Sequence, residues 1–148
     1  MTSRHLVGCF LALILLTDAT HSLTCYENDS KGSLWEVTRP NVTLCGYMTT
    51  DINQIGRVFA MDPAVEIVDM YSNAFQYGDS VWSPLASCVL DSMNFANHDR
   101  LVPDWGVEVS FRCACRTNLC NIPANLAGYL AAQNVLHTGL PSRTMNTP

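Results

Sequence analysis

Cys113-Ala114-Cys115-Arg116-Thr117-Asn118-Leu119-Cys120-Asn121 is the most informative stretch of the chain. Three cysteines this close together are thiols, metal ligands or halves of disulfides, and the redox compartment of the protein decides among these. That compartment is read from the N-terminus. Arg4 and His5 form a short basic segment, and Leu6 to Leu16 follow as eleven residues without a charge. As a helix those eleven residues rise roughly 16 Å, well short of the ~30 Å hydrocarbon core of a bilayer. The pattern predicts a secretory signal over residues 1–22, with cleavage after Ser22 leaving Leu23 as the new terminus, or alternatively after Ala19.

Signal removal takes Cys9 with it and leaves six cysteines, namely Cys25, Cys45, Cys88, Cys113, Cys115 and Cys120. In an oxidising compartment an even set of six reads as three disulfides, and the residues alone leave 15 connectivities open. Asn28-Asp29-Ser30 and Asn41-Val42-Thr43 are N-glycosylation sequons beside expected turns, which agrees with secretion.

Composition bounds the function classes. Of the 148 residues 48% are hydrophobic and 14% charged, which argues against disorder and for one domain. Thirteen acidic residues against eight basic ones give a formal charge of -5, the wrong sign for a nucleic-acid-binding protein.

Outward from the cysteines the pattern is strand-like. In Val107 to Cys113, Val107, Val109 and Phe111 alternate with Glu108, Ser110 and Arg112, which predicts a strand with one apolar face. Weaker runs at Trp35 to Thr38, Val42 to Thr49, Gly56 to Ala60 and Ala64 to Tyr71 are expected to be extended. Asp29 to Ser33, Tyr77 to Pro84 and Asn94 to Asp104 concentrate turn formers. After Cys120 the composition shifts to Ala and Leu, predicting a helix over Ala124 to His137 with Leu126, Tyr129 and Leu130 on one face. Asn121 is the candidate cap and Gly139 the terminator. This helix is too short and polar to span a bilayer, and Thr138 to Pro148 lack the hydrophobic tail of a glycosylphosphatidylinositol signal, so a soluble product without a transmembrane segment is expected.

Two strings taken together resemble a known family. Leu23-Thr24-Cys25-Tyr26 follows the cleavage point, and Cys115-x4-Cys120-Asn121 closes the cysteine-rich segment, as in the three-finger Ly6/uPAR superfamily. The resemblance covers Leu23 to Asn121. It implies a mainly β, small disulfide-rich three-finger fold, here with a C-terminal helix, and pairing of Cys25 with Cys45, Cys88 with Cys113 and Cys115 with Cys120. It also implies a structural role for Asn121, which in the family ties the C-terminal loop to the disulfide hub. The fingers would be Tyr26 to Leu44, Gly46 to Ser87 and Val89 to Arg112. The chain departs from the family in lacking one core disulfide, in the splitting of the family's adjacent Cys-Cys by Ala114, and in a second finger of 42 residues. Residues 1–22, 23–121 and 122–148 are thus expected to be signal, three-finger domain and helical tail.

Chemistry is sparse. His98 and His137, the histidines certain to remain after signal removal, have no partner ligand at i+3 or i+4, so neither a metal nor any other cofactor is expected. His98-Asp99 is the sole acid-base pair of interest for a small secreted hydrolase, and no Gly-x-Ser-x-Gly elbow accompanies it. Glu66 and Asp69 fit solvated surface charge better than a catalytic carboxylate pair. What remains is binding. Tyr71, Phe75, Tyr77 and Trp82 cluster in the second finger and Trp105 lies in the third; aromatics on constrained loops make interface anchors, though they equally fill a core. The expected function is that of a non-enzymatic extracellular ligand or modulator of a cell-surface receptor or channel, with no nucleic acid and no small-molecule substrate. The alternatives are an adhesive or structural component of an extracellular matrix or gamete surface, and the hydrolase.

Overall fold

The computed structural model describes residues 22–64, 68–78, 81–94 and 106–138. Residues 1–21, the greater part of the segment expected to be a signal, with Cys9, together with Glu66, His98, Asp99, Trp105 and Gly139, lie outside the described residues.

Six strands form two antiparallel sheets. Strands β1 (Thr24–Asn28) and β2 (Leu34–Thr38) make a hairpin of their own. Strands β3 (Leu44–Thr49), β4 (Arg57–Met61), β5 (Ala86–Asn94) and β6 (Val107–Cys115) make a sheet in the order β4-β3-β6-β5. The protein is therefore mainly β, small and disulfide-rich, with three hairpins and a C-terminal helix. The turn expected at Asp29 to Ser33 joins β1 to β2: Asp29 Oδ1 accepts the N–H groups of Lys31 and Ser33, each at 2.9 Å, and Gly32 takes φ +84°, which a side chain would resist.

Three disulfides crosslink the strands: one joins β1 to β3, one joins β5 to β6 within the third hairpin, and one joins the end of β6 to the segment that follows it. Cys25 bonds Cys45, Cys88 bonds Cys113, and Cys115 bonds Cys120. Cys25, Cys45, Cys115 and Cys120 are fully buried with Val42 and Ala60. A domain this thin in core gains stability from such crosslinks, because each removes conformations from the unfolded chain.

Asn121 completes this hub. Its side chain is fully buried; Oδ1 accepts the Tyr26 N–H at 2.9 Å, and Nδ2 donates to the carbonyls of Tyr26, Gly46 and Phe59 at 2.8, 3.0 and 3.2 Å. One amide thereby supplies hydrogen bonds to backbone groups of β1, β3 and β4 at once. The helix cap expected at Asn121 is instead Asn125, whose Oδ1 accepts the Gly128 N–H at 2.9 Å at the start of the C-terminal helix.

Both faces of the larger sheet are covered. On one, the long second finger returns as a short helix, α1 (Asp69–Ser72), and a 3-10 turn (Asn73–Tyr77), so Ala64 to Tyr71 is not the extended run expected. Asp62 Oδ1 accepts the Ala64 N–H at 2.9 Å, turning the chain at Pro63. Val68 and Tyr71 then meet Leu44, Met61 and Ala114, with Phe75 and Phe59 against them. Their spacing of i, i+3 and i+7 is helical.

On the other face lies helix α2 (Leu126–Thr138). The ring of Tyr129 stacks on that of Tyr47 at 4.3 Å between centroids. Tyr47 Oη donates to the Ala124 carbonyl at 3.1 Å, and Gln133 Nε2 to the Cys120 carbonyl at 2.7 Å. The buried face of α2 is thus Leu126, Tyr129 and Gln133, while Leu130 is 48% exposed. The helix belongs to the folded body, so a boundary at residue 121 does not separate it as a tail.

The apolar face of β6 expected from its alternation enters the core at Cys113, is half-buried at Phe111 and is exposed at Val109 and Val107. The β5-β6 hairpin runs past the rest of the sheet, and Val107 and Val109 are 61% and 48% exposed.

Candidate functional site: a groove between the first two hairpins

Strand β4 would be a free sheet edge, with backbone groups pointing outward. Strand β1 lies beside it but pairs through side chains rather than as a strand. Asn28 Oδ1 accepts the Val58 N–H at 2.9 Å, Asn28 Nδ2 donates to the Gly56 carbonyl at 3.3 Å, and Glu27 Oε1 accepts the Ala60 N–H at 3.4 Å. Because side chains are longer than a strand-to-strand hydrogen bond, the two hairpins are held slightly apart. The result is a groove of about 950 Å³ lined from one side by Glu27, Asn28, Asp29, Trp35 and Arg39, and from the other by Met48, Ile55, Arg57, Phe59, Asp62 and Arg112.

Three of the chain's eight basic residues converge here. Arg39 grips Glu27 with two parallel contacts, Nη1 to Oε1 at 3.1 Å and Nη2 to Oε2 at 3.2 Å. Arg112 Nε sits 3.2 Å from Asp91 Oδ2, outside hydrogen-bonding alignment, so this buried N–H has a charge beside it but no hydrogen-bond acceptor. Met48 stands opposite both Arg57 and Arg112 in register, which sets the two arginine backbones roughly 10 Å apart across the sheet. The guanidinium of Arg57 has no ion pair or hydrogen bond among the described residues. The carboxylates of Asp29 and Asp62 are engaged in their own turns. The groove therefore offers one uncommitted cation beside apolar walls, with Trp35 43% and Ile55 71% exposed. Such a surface suits a carboxylate next to an apolar side chain on a partner.

The aromatics singled out in the sequence divide. Tyr71 is 4% exposed and belongs to the core with Phe75 packed on it, so neither is a binding residue. Tyr77 and Trp82 are exposed at 75% and 55%, away from the groove lining. Trp35, Arg39, Arg57 and Arg112 were missed as site residues, since nothing in their local sequence says that β1-β2 will lie against β4. Their scarcity was the one available signal, in a chain with so few basic residues. Of the two sequons, Asn28 spends its amide bracing β4, whereas Asn41 is exposed between β2 and β3.

Burial raises the pKa of Tyr47, countered by its contact with Thr49, and pushes that of Tyr129 far above the ordinary phenol range, with the neighbouring Tyr47 adding to it. Both phenols stay neutral, as structural groups do. Among the described residues no set of three His, Cys, Asp or Glu side chains is grouped to hold a metal ion, and no helix is long and apolar enough to cross a membrane.

No curated protein and no solved structure matches the chain significantly. A family model matches residues 14–134, more than four-fifths of the sequence, and extends from the apolar N-terminal segment through most of α2. The chain belongs to DUF5354, a family of unknown function.

Proposed function

We propose that this protein is a secreted, non-enzymatic binding protein that engages an extracellular or cell-surface protein partner, as a ligand or modulator of a receptor or channel, through the groove between its first two hairpins. The observation that carries this reading is the uncommitted Arg57 guanidinium lining the same groove as exposed Trp35 and Ile55 on a disulfide-braced frame. A rigid frame presenting a cation beside an aromatic loses little conformational entropy on binding, and Trp and Arg are the residues that most often dominate interface energy. The resemblance of Leu23 to Asn121 to Ly6/uPAR proteins supports the same class of partner. Three disulfides and the apolar N-terminal segment support secretion, and exposed Asn41 is the better placed of the two sequons to carry a glycan.

The test is a binding screen of the secreted mature protein against displayed cell-surface proteins. Trp35→Ala and Arg57→Ala are run beside wild type. A partner lost by both variants while their circular dichroism is unchanged supports the reading; a partner retained by both rejects the groove.

A second reading, a multivalent adhesive component of a matrix or gamete surface, is favoured by the third hairpin. Leu90, Val107 and Val109 are exposed on a face whose strand positions carry no charge. Weak binding that grows with clustering of the protein, and is lost in Val109→Ser rather than Arg57→Ala, would select it.

A further inference from the structure

The three disulfides differ in what surrounds them. Cys25, Cys45, Cys115 and Cys120 are each 0% exposed. The third bridge is asymmetric: Cys113 is 2% exposed, within the cluster of Tyr47, Val58 and Tyr129, while Cys88 is exposed. Cys88 lies on β5, the outer strand of the sheet, directly opposite Cys113 on β6. A thiolate attacks a disulfide in line with the sulfur-sulfur bond. Cys88 is on the outer strand, so that line, extended from Cys113 past Cys88, runs toward the open edge of the sheet.

We propose that the Cys88–Cys113 bridge is a thiol-exchange site, opened by an extracellular dithiol reductant while the two hub disulfides stay closed. The reductant's thiolate bonds to Cys88 Sγ, the bond to Cys113 breaks, and the Cys113 sulfur leaves with the electron pair and takes a proton from water. The reductant's second thiol, deprotonated, then attacks its own sulfur in the mixed disulfide and releases Cys88 as a thiolate, which is protonated in turn. Two electrons pass to the protein, and the dithiol ends as a disulfide. A monothiol stops at the mixed disulfide on Cys88.

The fold accommodates the open state. Nine register pairs join β5 to β6, six of them beyond Cys88 and Cys113, so the backbone ladder keeps the hairpin zipped and the two sulfurs facing each other. Cys113, once a thiol, remains a small apolar group in an apolar site. The opening is thus local and reversible by an oxidant. It does not depend on the groove or its partner.

The full mature protein is treated without denaturant with low dithiothreitol, quenched with iodoacetamide at intervals, and mapped by peptide mass spectrometry. Near-ultraviolet circular dichroism of the stacked Tyr47 and Tyr129 reports on folding in parallel. Alkylation of Cys88 and Cys113 at least about tenfold faster than of the other four, with the tyrosine signal retained, is expected. Simultaneous opening of all three bridges, earlier opening of Cys115–Cys120, or labelling only as the tyrosine signal collapses would overturn the proposal.

Discussion

Asn121 and Tyr26, 95 residues apart, exchange two hydrogen bonds: the Asn121 side chain accepts from the Tyr26 N–H and donates to the Tyr26 carbonyl. The first strand and the segment after the last disulfide are thereby joined as if by one rung of a sheet. The same amide reaches β3 and β4, so it ties together strands from both sides of the groove.

Asn121→Ala removes all four of these hydrogen bonds from a fully buried position and should cost about 3 kcal/mol of folding stability. Urea denaturation followed by fluorescence checks this. Asn121→Asp keeps the acceptor but loses both donors and buries a charge, so it should be no better tolerated.

Tyr129 gives the fold an alkaline limit. Its folded-state pKa is raised above the 10.0 of the unfolded chain, by burial first and by Tyr47 second. A raised pKa contributes stability that is present below about pH 10 and is lost as pH rises beyond it. Thermal melts from pH 8 to 11.5 should show Tm falling above pH 10 in wild type and falling less in Tyr129→Phe. Because the Tyr129 hydroxyl is buried without a hydrogen-bond partner, Tyr129→Phe should also be more stable than wild type at pH 7, by about 1 kcal/mol.

The two sequons should separate on mutation. Asn28→Gln displaces the amide that braces β4 and should cost about 1–2 kcal/mol. Asn41 is exposed, so Asn41→Gln should leave stability unchanged and instead abolish the mobility shift produced by glycosidase treatment of the protein expressed in eukaryotic cells. A shift that persists in Asn41→Gln and vanishes in Asn28→Gln would reverse the assignment.

At the groove, Trp35→Ala and Arg57→Ala should each weaken partner binding tenfold or more, about 1.4 kcal/mol. Both side chains are exposed, so stability should change by less than about 0.5 kcal/mol. Surface plasmon resonance on the captured partner, beside thermal melts, separates the two effects.

Much of this architecture is legible in the residues. Alternation at Val107 to Cys113 predicts β6, Asp29 to Ser33 predicts the first turn, and the even set of cysteines predicts the crosslinks. The failures have physical causes. Val68, Tyr71 and Phe75 carry a helical period, but β-branched neighbours such as Val65 and Ile67 suggest a strand. Strand β5 has too little alternation of β-formers to stand out, since Ser87, Asp91 and Ser92 break it, and it is held by pairing with β6. Leu130 looks like part of the buried face of α2, yet the polar Gln133 takes that place because it satisfies the Cys120 carbonyl. The groove was invisible for a different reason. It arises where β1 side chains meet the edge of β4, and no local pattern announces a contact between segments some thirty residues apart.

The most direct measurement is non-reducing peptide mass spectrometry of the protein purified from eukaryotic expression. Peptides linking Cys25 to Cys45, Cys88 to Cys113 and Cys115 to Cys120 are the predicted result. A bridge from Cys25 to the C-terminal cluster, or free thiols in the untreated protein, would contradict the hub, and with it the groove that the hub holds in place.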